Sequence, residues 1–142
     1  MECGYLGELS HMAENWTLKG SGPEALTIET GNEAGTWHAE LRQQEAVAQA
    51  RIYHRWSGDS LELDTYFGQL AQQWRGWEGA VEWGGECLTL GATHDGLGHV
   101  TVTVVLHGEA DRDFDRWEFR GFVKVDAGSL DAIARDAAVL DP

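Results

Sequence analysis

The sequence predicts an α+β protein: an antiparallel sheet of about six to seven strands, an amphipathic helix in mid-chain, and a C-terminal helix packed on one face. Three observations support this class. Apolar and polar residues alternate in several short segments, apolar residues recur at helical spacing in two others, and strands and helices do not alternate regularly. With 142 residues, 42% of them hydrophobic, the chain is long enough to bury a core of its own.

Strand candidates lie on both sides of the central helix. Those before it are residues 14–19, 25–29, 36–42 and 46–56, separated by glycine-containing turns. Those after it are residues 79–83, 87–93, 99–107 and 117–126. In the last two segments every second residue is apolar, which is typical of antiparallel strands with one covered face.

The central helix is predicted from about Asp59 to Arg75. Its apolar residues follow the spacing of one helical face and are Leu63, Tyr66, Phe67, Leu70, Ala71 and Trp74. Asp59 and Glu62 resemble a capping box, and Gly76 suits the left-handed position that ends a helix. A second helix is predicted from about Ser129 to Leu140, so the chain ends on a helix that covers the sheet.

We interpret residues 13–142 as a single domain preceded by a tag or a disordered segment, residues 1–12. Ser10-His11-Met12 resembles a cloning scar before a start methionine, although Gly4-Tyr5-Leu6 is equally compatible with native chain. The N-terminus lacks a basic region followed by an apolar stretch, and no apolar run reaches the roughly 18 residues of a membrane helix. We therefore expect a cytoplasmic protein.

The chain is strongly acidic, with 24 acidic and 10 basic residues and a net charge of −14. A negative field repels phosphate backbones and anionic lipids, so we expect neither nucleic acid nor a membrane as a partner. A basic protein is the complementary partner, because opposite charges speed encounter and reject competitors. The alternative interpretation is that the charge serves only to keep the protein soluble.

One cluster of residues has the chemistry of a metal site. His94, Asp95 and His99 combine two imidazoles with a carboxylate, which suits zinc or iron. The strands around them align their apolar faces when Leu88 pairs with Leu106, Leu90 with Val104 and Ala92 with Val102. That register places the two histidines on opposite faces, unless a bulge at the turn reverses it. We therefore assign no cofactor.

A second candidate is the acidic segment between the last two strands, which contains Glu109, Asp111, Asp113 and Asp115. The aspartate spacing resembles the start of a calcium-binding loop. That loop needs glycine at its sixth position and glutamate at its twelfth, where this chain has Arg116 and Phe122. The segment is therefore either a solvated hairpin tip or a carboxylate-rich contact for a basic partner.

The chain contains seven tryptophans. Trp37, Trp74 and Trp117 fall on predicted inward faces, and we expect Trp77 to anchor the turn after the helix. Trp16 and Trp56 are less constrained and are candidate interface anchors, because tryptophan is enriched among residues that dominate binding energy.

Motifs of catalysis are missing from the sequence. There is no Gly-x-Ser-x-Gly elbow, no dinucleotide-binding glycine motif and no phosphate-binding loop of the Walker type. Cys3 and Cys87 belong to no Cys-x-x-Cys pair, and we expect Cys87 to be a buried, free thiol in a strand. We therefore predict a protein that is not an enzyme.

Three motifs in fixed order carry a family resemblance. The first motif is the end of the central helix and the turn after it, Gln69-Leu70-Ala71-Gln72-Gln73-Trp74 followed by Arg75-Gly76-Trp77-Glu78-Gly79. A strand with Leu88 and Leu90 comes next. The second motif is Gly98-His99-Val100, and the third is Val125-Asp126-Ala127-Gly128. Residues 36–140 thereby resemble an uncharacterised actinobacterial family, domain of unknown function six-two-two-eight. The resemblance implies the order of elements and the limits of the domain, and no activity.

Three functional hypotheses follow. The leading one is a non-catalytic acidic binding protein, in its specific form a bacterial immunity protein that neutralises a basic toxin; this form rests on analogy with small, acidic, tryptophan-rich α+β families. The second is a small ligand-binding or metal-dependent enzyme that uses His94, Asp95 and His99. The third is a homo-oligomeric scaffold, such as a homodimer.

Overall fold

The computed structural model describes residues 14–31, 36–53, 61–85, 87–108 and 117–140, which contain eight β-strands and two α-helices. The strands are β1 (Asn15–Lys19), β2 (Ala25–Thr30), β3 (Thr36–Arg42), β4 (Val47–Tyr53), β5 (Val81–Gly84), β6 (Leu88–His94), β7 (His99–His107) and β8 (Glu118–Asp126). Helix α1 (Leu63–Gln72) lies between β4 and β5, and helix α2 (Leu130–Ala137) follows β8. The α+β class is confirmed.

The strands form two antiparallel sheets of four strands each, in the orders β1-β2-β3-β4 and β5-β6-β7-β8. The expectation of one sheet with six to seven strands was wrong. Each sheet is a meander in which every strand pairs with the next along the chain. The segment that contains α1 separates β4 from β5, so no hairpin joins the two meanders.

The register predicted between β6 and β7 is confirmed. Leu88 pairs with Leu106, Leu90 with Val104 and Ala92 with Val102. All six of these side chains are buried, whereas Thr89 and Thr103, one position along, are partly exposed. A shift of one residue would turn every apolar side chain to solvent, so the apolar alternation fixes the register.

Both sheets contribute to one hydrophobic core, and the two helices lie against it. The fully buried side chains with the largest volumes include Phe67, Leu18, Leu26, Ile28, Leu41, Ile52, Leu88 and Leu106. The rings of Trp16 and Phe67 lie 5.5 Å apart between their centroids and join β1 to α1. The Tyr66 hydroxyl donates to the Val81 carbonyl at 2.6 Å, and burial raises its pKa well above the ordinary value of 10.0, so it stays a donor.

The two sheets meet along β8. The side-chain amide of Gln43, after β3, donates to the Phe122 carbonyl at 3.1 Å and accepts the Phe122 N–H at 3.3 Å. These two bonds imitate the pairing that a neighbouring strand would make. At the end of β1, Gly20 comes so close to the Lys124 carbonyl that an added Cβ would collide with it.

Both helices are shorter than predicted. Helix α1 begins after Glu62, whose φ of 59° is left-handed, so Glu62 is not the third residue of a helix that begins at Asp59 and the predicted capping box is wrong. Asp59 lies outside the described residues. Helix α2 has 3₁₀ turns on either side, Ala127–Ser129 and Ala138–Leu140. Within the described part of the chain, no helix has the length and apolar character needed to cross a bilayer.

Candidate functional site

The turn between β6 and β7 is organised by one carboxylate, that of Asp95. Its Oδ1 atom accepts the backbone N–H groups of Leu97 at 2.6 Å and of His99 at 3.1 Å. Its Oδ2 atom lies 2.9 Å from Nδ1 of His99. The Leu97 N–H is the main reason that the Asp95 pKa falls from 3.8 to about 2. Asp95 therefore holds its own turn together and stays ionised above strongly acidic pH.

His94 fastens the hairpin to the end of α1. Its Nδ1 atom accepts the Gly96 N–H at 2.8 Å, so the ring proton is on Nε2, which donates to the Trp74 carbonyl at 2.8 Å. The Trp77 ring meets the imidazole edge to face, with 5.1 Å between centroids. Both nitrogens of His94 are thus used within the fold.

The structure does not assemble the metal site that His94, Asp95 and His99 suggested. His94 follows the buried alternation of β6, whereas His99 follows the outer alternation of β7 and faces Asp95. Among the described residues, no group of three His, Cys, Asp or Glu side chains is placed to hold a metal ion. The nitrogen atoms of His94 and the carboxylate oxygens of Asp95, which could have bound a metal, make hydrogen bonds within the protein instead.

The acidic segment cannot be placed. Glu109, Asp111, Asp113 and Asp115 lie outside the described residues, and so does Trp56. Their role in partner binding stays a prediction from the sequence.

Four tryptophans tie separate parts of the chain together. Their indole N–H groups donate to backbone carbonyls at 3.0–3.1 Å: Trp16 to Ile133, Trp37 to Leu140, Trp77 to Ala92 and Trp83 to Leu61. Trp77 anchors the turn after α1, as expected. The interpretation of Trp16 as an interface anchor was wrong, because its side chain is only 3% exposed and packs in the core.

Trp74 and Trp117, which we expected in the core, are 52% and 41% exposed. Trp74 lies beyond Gln72, the last residue of α1, so helical spacing no longer directs it inward. Trp117 precedes the first residue of β8, so the alternation of that strand does not apply to it. A prediction that ended the helix at Gln72 and began the strand at Glu118 would have placed both tryptophans outside these elements.

Cys87 is also placed differently from the prediction. It is partly exposed and precedes β6 rather than lying in it, with a φ of 70°. Its carbonyl accepts the His107 N–H at 2.8 Å, so its backbone closes the end of the β6–β7 ladder.

Trp74 belongs to an exposed surface, which we call the Trp74 surface and define as Trp74, Gly128 and Asp131. A shallow cavity of about 320 Å³ separates Trp74 from the start of α2 and is lined by Ala71, Trp74, Ala127, Gly128 and Asp131. Leu97, at the tip of the β6–β7 hairpin, is 81% exposed. The hairpin is joined to both sides of this cavity, through His94 and Trp74 and through the Ala127 N–H, which donates to the Gly98 carbonyl at 2.8 Å.

The charges around the Trp74 surface are mainly negative. Asp95 and Asp126 are exposed beside it, and Asp131 is exposed within it. The Arg75 guanidinium lies over the Trp74 ring, 5.2 Å from its centroid. An indole edged by carboxylates and backed by one arginine can take up an apolar and basic group of a partner.

A family model matches residues 25–140, most of the chain. The chain belongs to the family of unknown function DUF6228. This match confirms the resemblance seen in the sequence and extends it toward the N-terminus. No significant match was found among curated proteins or among solved structures.

The three motifs that carry the resemblance to DUF6228 meet beside the Trp74 surface. The motif at residues 69–79 contains Trp74, the motif at residues 98–100 begins with Gly98, and the motif at residues 125–128 contains Ala127. The Ala127 N–H donates to the Gly98 carbonyl, and His94, in the same hairpin as Gly98, donates to the Trp74 carbonyl. In this DUF6228 chain, the three motifs thus lie around the β6–β7 hairpin.

Proposed function

We propose that this protein is a non-catalytic binding protein that recognises a basic protein through the Trp74 surface. The observation that carries the proposal is the exposure of Trp74, at 52%, in a chain whose Trp16, Trp37, Trp77 and Trp83 all donate to backbone carbonyls. A large apolar side chain costs solvation free energy when it stays in water. A partner that covers the indole removes this cost.

Charge determines the kind of partner. The net charge of −14 attracts a basic protein from a distance, and Asp95, Asp126 and Asp131 provide local carboxylates around the indole. Tryptophan is among the residues that most often dominate binding energy, and charges at the rim mainly set the rate of association. A basic partner whose contact surface has an apolar centre matches both the exposed indole and the carboxylates around it.

The specific form of the proposal is an immunity protein that neutralises a basic toxin. It is supported by analogy with small, acidic, tryptophan-rich α+β families and by the net charge. The acidic segment with Glu109, Asp111, Asp113 and Asp115 is a second proposed contact for the same partner.

The test is affinity capture from a lysate of the source organism at low and high salt, followed by titration of the purified basic partner. Trp74→Ala should weaken its affinity by about 30-fold or more, the loss of roughly 2 kcal/mol that defines a dominant contact. The matched control is Phe122→Ala, an aromatic side chain in the middle of β8 that is 41% exposed and belongs to neither proposed contact.

Each outcome identifies a different contact. Loss with Trp74→Ala alone supports the Trp74 surface, and loss with the triple variant Asp111→Ala, Asp113→Ala, Asp115→Ala supports the acidic segment. Unchanged affinity with Trp74→Ala overturns the proposed surface. If no basic protein is retained even at low salt, the proposal of an electrostatic binding protein fails.

A further inference from the structure

On strands β6 and β7, the outer face of the second sheet carries small and hydroxylated side chains rather than charged ones. In the register of strands β5–β8, Gly84, Thr89, Val105 and Arg120 form one row across the sheet. The next row is Glu82, Gly91, Thr103 and Phe122, and the row after that contains Thr93, Thr101 and Lys124. A solvated face of an antiparallel sheet usually carries longer polar side chains. The small side chains leave a depression in the middle of this face.

The depression is a cavity of about 430 Å³, within the range of small-molecule sites, roughly 300–1,000 Å³. Its floor consists of Thr89, Gly91, Thr93, Thr103 and Val105, and we call it the threonine cavity. Glu82 on β5 lines one side and Arg120 on β8 lines the other. The cavity thus has hydroxyls below and opposite charges at its two sides.

The hydroxyls of the threonine cavity are not used by the fold. Among the described residues, the side chains of Thr89, Thr93 and Thr103 make no hydrogen bond with the protein, and Thr89 and Thr103 are only partly exposed. The outer face of the first sheet differs, because there the Thr17 and Thr27 hydroxyls pair at 3.2 Å. The second sheet therefore presents donors and acceptors that only solvent or a ligand can satisfy.

The two charged walls lie on strands three spacings apart, or about 14 Å at the usual 4.7–4.9 Å per spacing, and in neighbouring rows of the sheet. Their side chains are flexible enough to lean over the floor between them. The Arg120 guanidinium comes no closer than 3.6 Å to the Glu118 carboxylate, which is longer than a hydrogen bond, so its donors stay available. A ligand that lies across the cavity meets a cation at one end and an anion at the other.

We propose that the threonine cavity binds a small zwitterion of the size of an amino acid or a dipeptide. The ligand carboxylate binds Arg120, its ammonium group binds Glu82, and its polar atoms bond with the threonine hydroxyls. A neutral zwitterion also escapes the repulsion that a net charge of −14 exerts on a plain anion. This site is separate from the Trp74 surface and does not depend on partner binding there.

Gly91 supports this inference and supplies its sharpest test. A Cβ atom added at Gly91 meets nothing within 4 Å, so the fold itself does not require a glycine there. Glycine in a strand interior is unfavourable because it loses more conformational entropy than other residues. Gly91→Val should therefore keep or improve thermal stability while its methyl groups fill the cavity.

The experiment is a titration of the ¹⁵N-labelled protein with leucine and with alanyl-alanine, followed by backbone amide shifts. Saturable shifts are expected at Thr89, Gly91 and Thr103. N-acetyl-alanyl-alanine, which lacks the ammonium group, and alanyl-alanine amide, which lacks the carboxylate, should each bind at least tenfold more weakly. Arg120→Gln, Glu82→Gln and Gly91→Val should each reduce the binding of the unmodified probe at least tenfold.

The matched control is Arg42→Gln on the outer face of the first sheet. Arg42 lies 3.5 Å from Glu40, two residues before it, just as Arg120 lies 3.6 Å from Glu118. Its removal should leave binding unchanged. The proposal is overturned if neither probe gives saturable shifts at the cavity, if the blocked derivatives bind as well as the zwitterion, or if Arg120→Gln has no more effect than Arg42→Gln.

Discussion

At the scale of single residues, the β6–β7 hairpin shows how chemistry that resembles a site can serve the fold. Asp95 accepts two backbone N–H groups of its own turn and contacts His99, while His94 joins Gly96 to the carbonyl of Trp74. By residue type and spacing alone, His94, Asp95 and His99 could equally form a metal site. The partners of each atom show that these side chains position the turn and the end of α1.

Asp95 gives the hairpin a dependence on pH. Its pKa in the fold, about 2, lies below the ordinary value of 3.8, so the fold favours the ionised form. The stabilisation is complete above about pH 4 and is lost as the pH falls toward 2. We expect Asp95→Asn to be less stable than the wild type at pH 7, and the difference to shrink at pH 2.5, in urea unfolding followed by fluorescence. Asp136→Asn, at an exposed position of helix α2, is the control for charge alone. A loss of stability in Asp95→Asn that does not depend on pH would contradict the prediction.

At the scale of secondary-structure elements, the sequence identified the strands and helices better than it identified their ends. The bounds of β3 and β7 and the register of β6 with β7 agree with the prediction, because alternation over seven or nine residues leaves only one burial pattern. The end of α1 was placed too late. Apolar Trp74 continues the helical spacing, yet the chain leaves the helix after Gln72.

The junction of β1 with β8 was not predictable, because it joins residues more than a hundred positions apart through backbone contact. Gly20 approaches the Lys124 carbonyl directly, so a methyl group there forces the two strands apart. We expect Gly20→Ala to lower the free energy of unfolding by about 2 kcal/mol or more, a typical cost of overpacking. Urea denaturation measures the change.

The control for this substitution is Gly68→Ala in α1, where an added Cβ meets nothing within 4 Å. Alanine in a helix interior is favoured over glycine by about 0.5–1 kcal/mol, so this variant should be more stable than the wild type. The same chemical change thus has opposite signs at the two positions. Equal effects would show that Gly20 does not lie at a close contact.

At the scale of the whole molecule, the two sheets share their core, although no strand pairing joins them in the part of the chain that the structure describes. Trp16 of β1 donates to the carbonyl of Ile133 in helix α2, and Trp83 of β5 donates to the carbonyl of Leu61 before helix α1. Helix α1 also contacts β1 through the rings of Phe67 and Trp16. The sequence pattern indicated which side chains are buried, but alternation is the same for one sheet and for two, so the division of the strands was not predictable.

A shared core implies that both sheets unfold together. Ile28→Ala in the first sheet and Val102→Ala in the second remove fully buried groups, at a cost of about 2–4 kcal/mol each. In a two-state protein either loss lowers the hydrogen-exchange protection of core amides in both sheets by the same amount. Leu97→Ala, at a side chain 81% exposed, should leave protection unchanged. If Ile28→Ala lowered the hydrogen-exchange protection of amides in β1–β4 alone, the two sheets would be independent units. Binding at the Trp74 surface could then not stabilise the first sheet.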